Sequence, residues 1–161
     1  MTRTASASVL ASVVRAAREH PDTMGAEWVP VLKEIPLFTG LSKRHLLRVA
    51  KLARPVRFSE NATIVRAGAR GDSFYVILDG EANVAAPKGS TKLGPMSFFG
   101  EMSLIDGGER SATVVANKET LTMRLSRGPF MKLIQGEPLI ATHIMKELVG
   151  RIRRAESQPN P

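Results

Sequence analysis

The sequence predicts an α+β chain in which helices lead into an all-β body and further helices close it. Two observations carry that prediction. Apolar residues recur at helical spacing near both ends of the chain. Between Val56 and Leu125, short runs rich in Val, Ile and Phe alternate with turn residues, the pattern of an all-β sandwich, barrel or roll. A length of 161 residues suits a single core of ordinary size, since domains cluster at about 100–150 residues.

Residues 1–26 read as an N-terminal extension. Val9, Leu10, Val13, Val14 and Ala17 recur at helical spacing, so a helix is expected there, as a docking helix or a floppy extension. The Arg- and Ser-rich, acid-poor start also resembles a transit peptide, and Arg3 before Ala5 to Val14 resembles a secretory signal; Arg15, Arg18 and Glu19 cut that run short, and no small-residue cleavage site follows. Residues 27–55 hold two entry helices. Trp28, Val31, Leu32 and Ile35 stripe the first, which Pro36 ends; Ser42 caps a second with Leu46, Leu47, Val49, Ala50 and Ala53 on one face. Residues 56–125 form the β body, punctuated by Gly68, Gly71-Asp72, Asp79-Gly80, Pro87-Lys88-Gly89, Gly94-Pro95 and Gly107-Gly108. Phe74 to Leu78 is its clearest strand, and Asp79-Gly80 its clearest hairpin signal. In residues 126–156 the period is helical again: Phe130, Met131, Leu133 and Ile134 share one face, Gly136 and Pro138 interrupt, and Leu139, Ile140, His143, Ile144, Leu148 and Ile152 continue on a second helix. The polar tail, 157–161, is expected to fray.

Composition removes several function classes. With Cys at 0, a disulfide scaffold, a thiolate zinc site and a Cys nucleophile are impossible, and a reducing cytoplasmic setting is expected. Hydrophobic residues at 43% and charged residues at 24% exclude a wholly disordered chain. No run of about 18 uninterrupted apolar residues exists to span a bilayer. His20, His45 and His143 fall on helices or their edges, away from the β body where a small metal-binding roll would place ligands, so no metal site is expected. No Gly-x-Ser-x-Gly elbow or similar arrangement is present, and no catalytic residue is assigned. Lys and Arg at 23 against Asp and Glu at 15 give a net charge of +8, which favours a polyanionic partner or a solubilising surface. Lys43, Arg44, Arg48, Lys51, Arg54 and Arg57 form a basic run with no acidic residue, read first as a solvated helix face and otherwise as a peripheral contact for an anionic membrane.

One segment carries chemistry: Phe98 to Val114. Its flanks have strand texture, while Met102, Leu104 and Ile105 make one helical turn between glycine-bearing turns. A short helix inside a β body exposes unpaired N–H groups that suit an anion. Gly100 permits close approach of a ligand to the backbone, Glu101 offers a fixed acceptor for hydroxyls, Arg110 a planar fork of donors for phosphate oxygens, and Ser111 a hydroxyl beside it. An acceptor for a sugar and donors for a phosphate, about ten residues apart, describe a nucleotide monophosphate.

The run Phe99-Gly100-Glu101-Met102-Ser103-Leu104 through Arg110-Ser111-Ala112-Thr113 resembles the phosphate-binding cassette of cyclic nucleotide-binding domains. A second signature is Gly68-x-x-Gly71-Asp72-x-x-Tyr75-x-Ile77-x-x-Gly80, a third the entry segment Ile35-Pro36-Leu37-Phe38, and Phe130 to Ala155 is similar to the family's two closing helices. The likeness runs from about Trp28 to Glu156. It implies that the β body is a double-stranded, jelly-roll-like β roll flanked by N-terminal helices and two C-terminal helices, with a short helix inside the cassette.

The resemblance also implies roles. Phe99, Gly100, Glu101, Met102, Arg110, Ser111 and Ala112 would bind the cyclic nucleotide: Glu101 the ribose 2′-hydroxyl, with backbone groups of Gly100 and Met102 nearby, Arg110 an equatorial phosphate oxygen, and Ser111 with the Ala112 N–H completing the anion cage. Leu104 would relay cassette movement to the closing helices. The purine cap would come from the last helix, where His143, Lys146, Glu147 and Arg151 are candidates. Threonine after the arginine goes with cGMP in the family, so Ser111 leans towards cAMP. The expected protein is a cAMP or cGMP sensor, with no further cofactor, that signals to a separate effector as a monomer or homodimer. A ligand-indifferent adaptor or an anionic-surface-binding protein is the alternative. Sequence-specific DNA binding is not expected, since the chain ends within a few residues of the last helix. The start at Met1 and the polar tail favour a complete protein over a fragment.

Overall fold

The computed structural model describes residues 7–86 and 89–157, so the Pro87-Lys88 turn and the polar tail beyond 157 that the sequence suggests, with residues 1–6, lie outside the described residues. Helix α1 (Ala7–Glu19) buries Val9, Val13, Ala16 and Ala17. The entry segment is more broken than a single stripe suggests: a 3-10 turn (Ala26–Trp28), helix α2 (Val29–Lys33) and a second 3-10 turn (Pro36–Phe38) replace one continuous helix. Ile35 is extended, with ψ 120°, because the Pro36 ring disfavours helical backbone in the residue before it. Ser42 caps α3 (Lys43–Leu52), its hydroxyl accepting from the His45 N–H at 3.4 Å.

Eight strands form two antiparallel four-stranded sheets. The first runs β1 (Arg54–Phe58), β8 (Thr120–Ser126), β3 (Ser73–Asp79), β6 (Phe98–Phe99); the second runs β2 (Thr63–Val65), β7 (Thr113–Ala116), β4 (Ala82–Ala86), β5 (Gly89–Leu93). Strand β3 is buried from Ser73 to Leu78 because both of its faces are covered, which explains its unbroken apolar run. Its side chains alternate between two cores: Phe74, Val76 and Leu78 join the helical layer, while Tyr75 and Ile77 fill the roll with Ile64, Phe99, Ala82 and Val114.

Asp79-Gly80 is not a hairpin. It is the corner at which the chain passes from one sheet to the other, β3 and β4 lying in different sheets. The glycine is needed there: φ is +101°, and a Cβ would lie 2.7 Å from the Glu119 carbonyl oxygen. Left-handed turn chemistry is the same for a hairpin and a corner, and pairing partners decide between them. The tight hairpin is β4–β5, in register from Ala82↔Leu93 to Ala86↔Gly89.

Helices α5 (Arg127–Gly136) and α6 (Pro138–Ser157) close the structure, with Phe130 stacked on Phe74 at 4.8 Å. Ser157 ends α6 rather than beginning a tail. Glu137, 4% exposed, joins the two helices and faces His45 Nδ1 at 3.6 Å and Arg48 Nη1 at 3.7 Å on α3. Of the basic run, Arg48, Arg54 and Arg57 therefore have partners, the last two being the Asp22 carbonyl oxygen and Glu119. Lys43, Arg44 and Lys51 are exposed.

Candidate functional site

The cassette helix α4 (Glu101–Asp106) is short because glycines bound it, Gly100 at φ +94° and Gly107 at φ +72°. Gly100 has a second reason to lack a side chain. A Cβ there would lie 2.8 Å from both the Ser73 carbonyl oxygen and Arg110 Nη1. The turn delivers Glu101 into the interior at 1% exposure, where Oε1 accepts from Arg151 Nη1 at 2.5 Å and Oε2 has no partner.

Arg110 is also buried, at 7% exposure. Its Nη1 donates to the Gly100 carbonyl oxygen at 3.0 Å and to Ser103 Oγ at 3.1 Å, and its Nη2 to the Ser73 carbonyl oxygen at 2.7 Å, with Asp72 at 4.0 Å. No surface bridge to Glu109 or Glu101 forms. The backbone is pinned as well, the Arg110 N–H donating to the Ala69 carbonyl oxygen at 2.8 Å and the Arg110 carbonyl oxygen accepting from Gly68 N at 2.9 Å. Burial holds the guanidinium below its ordinary pKa, opposed by Tyr75, Asp72 and Glu101. Gly71 serves this packing rather than a left-handed turn, since a Cβ there would lie 2.0 Å from Ser103 Oγ.

Phe99, Gly100, Glu101, Met102, Arg110, Ser111 and Ala112 all line one cavity of about 880 Å³, within the span of about 300–1,000 Å³ typical of small-molecule sites. Leu104 does not line it; at 1% exposure it packs in the helical core. Of the four cap candidates on α6, Glu147 and Arg151 are on the cavity wall. Lys146 is exposed and off the wall, and His143 is occupied elsewhere, its Nδ1 2.8 Å from the Leu37 carbonyl oxygen. Arg151 bridges α6 and the roll: besides Glu101 it donates to the Phe98 carbonyl oxygen at 2.9 Å and lies 5.3 Å above the Phe98 ring.

Residue-by-residue reading missed the apolar wall, Val65, Val84, Leu93 and Val114, and the end of α6, Arg154 and Ala155. Alternation of Ala82, Asn83 and Val84 in β4 was the available signal for Val84, whereas β5, with Leu93 as its one apolar side chain, offered none. Nothing local pointed to Arg151 as the partner of Glu101, fifty residues earlier.

The family model described as "Cyclic nucleotide-binding domain" matches residues 55–137, the β roll and α5. A cyclic nucleotide-gated potassium channel of Rhizobium etli is 38% identical over 117 residues, 73% of this chain and 33% of the channel. The cyclic AMP receptor protein of Thermus thermophilus is 30% identical over 131 residues, 78% of this chain and 61% of the relative. The chain thus spans about a third of the channel and three-fifths of the receptor. Among solved structures, the Thermus thermophilus catabolite activator protein superposes with a TM-score of 0.67 at 32% identity, covering 75% of this chain and 60% of that one. The regulatory domain of Toxoplasma gondii protein kinase A with cAMP gives 0.67 at 27%, covering 74% and 48%. The glycine-bounded helix, the buried Glu101 and Arg110 on one cavity wall, and a family match over half of the sequence agree, and the chain belongs to the cyclic nucleotide-binding domain family.

Proposed function

We propose that this protein is a cyclic nucleotide sensor that binds cAMP in preference to cGMP and passes the binding event to a separate effector protein. The observation that carries the reading is Glu101: a carboxylate 1% exposed, on a cavity wall, with one oxygen unpartnered. An unmade hydrogen bond on a buried acceptor costs about 1–3 kcal/mol, which a ligand hydroxyl recovers. Arg110, Ser111 and Ala112 on the same wall supply donors for a cyclic phosphate, while Val84 and Leu93 offer an apolar face to a purine. Ser111 after Arg110 supports cAMP over cGMP by resemblance to the family. The similar Toxoplasma gondii regulatory domain is solved with cAMP.

In this reading α6 is the lid. Ligand binding favours the state in which the cassette and α6 meet, with Leu104 coupling α4 to the helical core, and the shift equals the ligand's differential affinity for the two states. The cytoplasm is the proposed setting, and no helix among the described residues is long and apolar enough to cross a membrane.

Calorimetric titration with cAMP, cGMP and AMP tests the proposal. cAMP is expected to bind tightest and AMP weakest. Arg110→Ala is expected to weaken cAMP binding by about 2–5 kcal/mol, as for a buried charge-assisted pair that loses one member. Unchanged affinity in that variant refutes the assignment; no binding and no thermal shift in the unaltered protein favours the adaptor reading.

A further inference from the structure

The inner face of α6 closes the cavity, but its outer face is left open. Met145, Val149 and Ile152, at i, i+4 and i+7, are 57%, 47% and 58% exposed, whereas Ile140 and Ile144 on the inner side are 2% exposed each. Lys146 and Arg153 follow Met145 and Ile152 and border the stripe on one side. The basic residues of the helix divide sharply. Arg151 and Arg154 are tied to Glu101 and Glu147, while among the described residues Lys146 and Arg153 make no hydrogen bond or ion pair. Two unpaired cations beside a three-residue apolar line on one helix face form a surface with both a hydrophobic and an electrostatic requirement.

We infer that this face docks an amphipathic helix of a partner protein whose flanking positions are acidic. Charge excludes the simplest competitor. In heptad terms Met145 and Ile152 occupy d, Val149 occupies a, and Lys146 and Arg153 occupy e. In a parallel pairing of two copies the g positions facing those cations are Ala141 and Leu148, without an acid. In an antiparallel pairing Lys146 approaches the copy's Arg153, and Glu156 is forced into the apolar seam opposite Met145. Neither arrangement satisfies the cations, whereas a foreign helix with Glu or Asp at its flanks satisfies both. A membrane surface fits less well: helices that lie in the bilayer interface present a broad apolar face with Trp or Phe anchors, and this stripe is three aliphatic side chains wide with no aromatic residue. As the surface that reports a bound nucleotide, this face rests on the sensor reading above; as a docking surface it stands without it.

The test uses the full chain and a fluorescent 21-residue peptide with Leu at a and d and Glu at e and g, whose like-charged flanks keep it from pairing with itself. A matched peptide with Lys at e and g is the control. The acidic peptide is expected to bind at least about tenfold tighter than the basic one, roughly 1.4 kcal/mol. Arg153→Glu should erase that preference, and Val149→Glu should abolish binding of both peptides while leaving the calorimetric cAMP affinity as it was, which also shows the variant to be folded. Equal or absent binding of the two peptides overturns the proposal. So does a dimer in light scattering that Val149→Glu dissociates, which assigns the face to a second copy. Co-sedimentation with phosphatidylserine vesicles that Val149→Glu abolishes also overturns it, in favour of a membrane. Failure of the unaltered protein to bind cAMP refutes the sensor reading alone, and the peptide comparison still decides the surface.

Discussion

The two oxygens of Glu101 are placed differently, one bonded to Arg151 on α6 and the other buried without a partner in a residue that lines the cavity. This division gives a specific expectation for the ligand's sugar. In the unaltered protein 2′-deoxy-cAMP should bind about 1–3 kcal/mol more weakly than cAMP, the usual cost of leaving a buried acceptor unmade. In Glu101→Ala the two ligands should bind alike. The double cycle, measured by calorimetry, should therefore show a coupling of at least about 1 kcal/mol; a variant that still discriminates the sugars assigns the 2′-hydroxyl to another residue. Gly71 and Gly100 show how residue types can be legible while their reasons are not. Gly71 stands out in the sequence as a turn glycine and Gly100 as one that lets a ligand approach the backbone, yet Gly71 is small because Ser103 packs against it, and Gly100 because of its φ of +94° and the protein's own Ser73 carbonyl oxygen and Arg110.

At the scale of elements, α6 is held unevenly. Up to Ile144 its inner face is anchored by buried aliphatic side chains, but beyond it Leu148 is only half-buried and Val149 and Ile152 are exposed. The last two turns therefore depend on Arg151 and its contacts to Glu101 and the Phe98 carbonyl oxygen. Arg151→Ala leaves the Glu101 carboxylate buried and unpaired, which favours opening. Without ligand, amide exchange over residues 148–157 should quicken at least about tenfold, while α5, anchored by Phe130 and Leu133, keeps its protection. Unchanged exchange in α6 shows that apolar packing alone holds the lid. The period of the sequence identified α6 and the inward side of Ile140 and Ile144, but its stripe also took in Leu139 and Ile152, which are 45% and 58% exposed. It carried no information on where that stripe ends as an anchor, because burial depends on how far α5 and the Pro36–Phe38 turn extend along the helix.

At the scale of the whole molecule, α1 is part of the core rather than a loose addition: Val13 and Trp28 are both at 0% exposure in the same cluster as Val31, Phe74 and Leu125. Val13→Asp buries a charge without a partner and should destabilise the chain by about 3 kcal/mol or more. At about 2–4 °C per kcal/mol for a domain of this size, the melting temperature should fall by roughly 10 °C, measured by thermal unfolding without ligand. An unchanged melting temperature shows α1 detached in solution. The sequence by itself determined everything that depends on near neighbours: the helical and strand periods, the Ser42 cap, the glycine-bounded turn at 100–107, and the presence of Glu101 and Arg110 within one cassette. The tertiary structure alone decided that Asp79-Gly80 turns a corner between sheets, that Val65, Val84 and Leu93 wall the cavity, that Glu147 and Arg151 rather than His143 or Lys146 reach it, and that Arg151 meets Glu101. The reason is physical: periodicity shows which side of an element is apolar, but not what covers that side, and a contact spanning fifty residues forms only when the roll and its closing helices share one core.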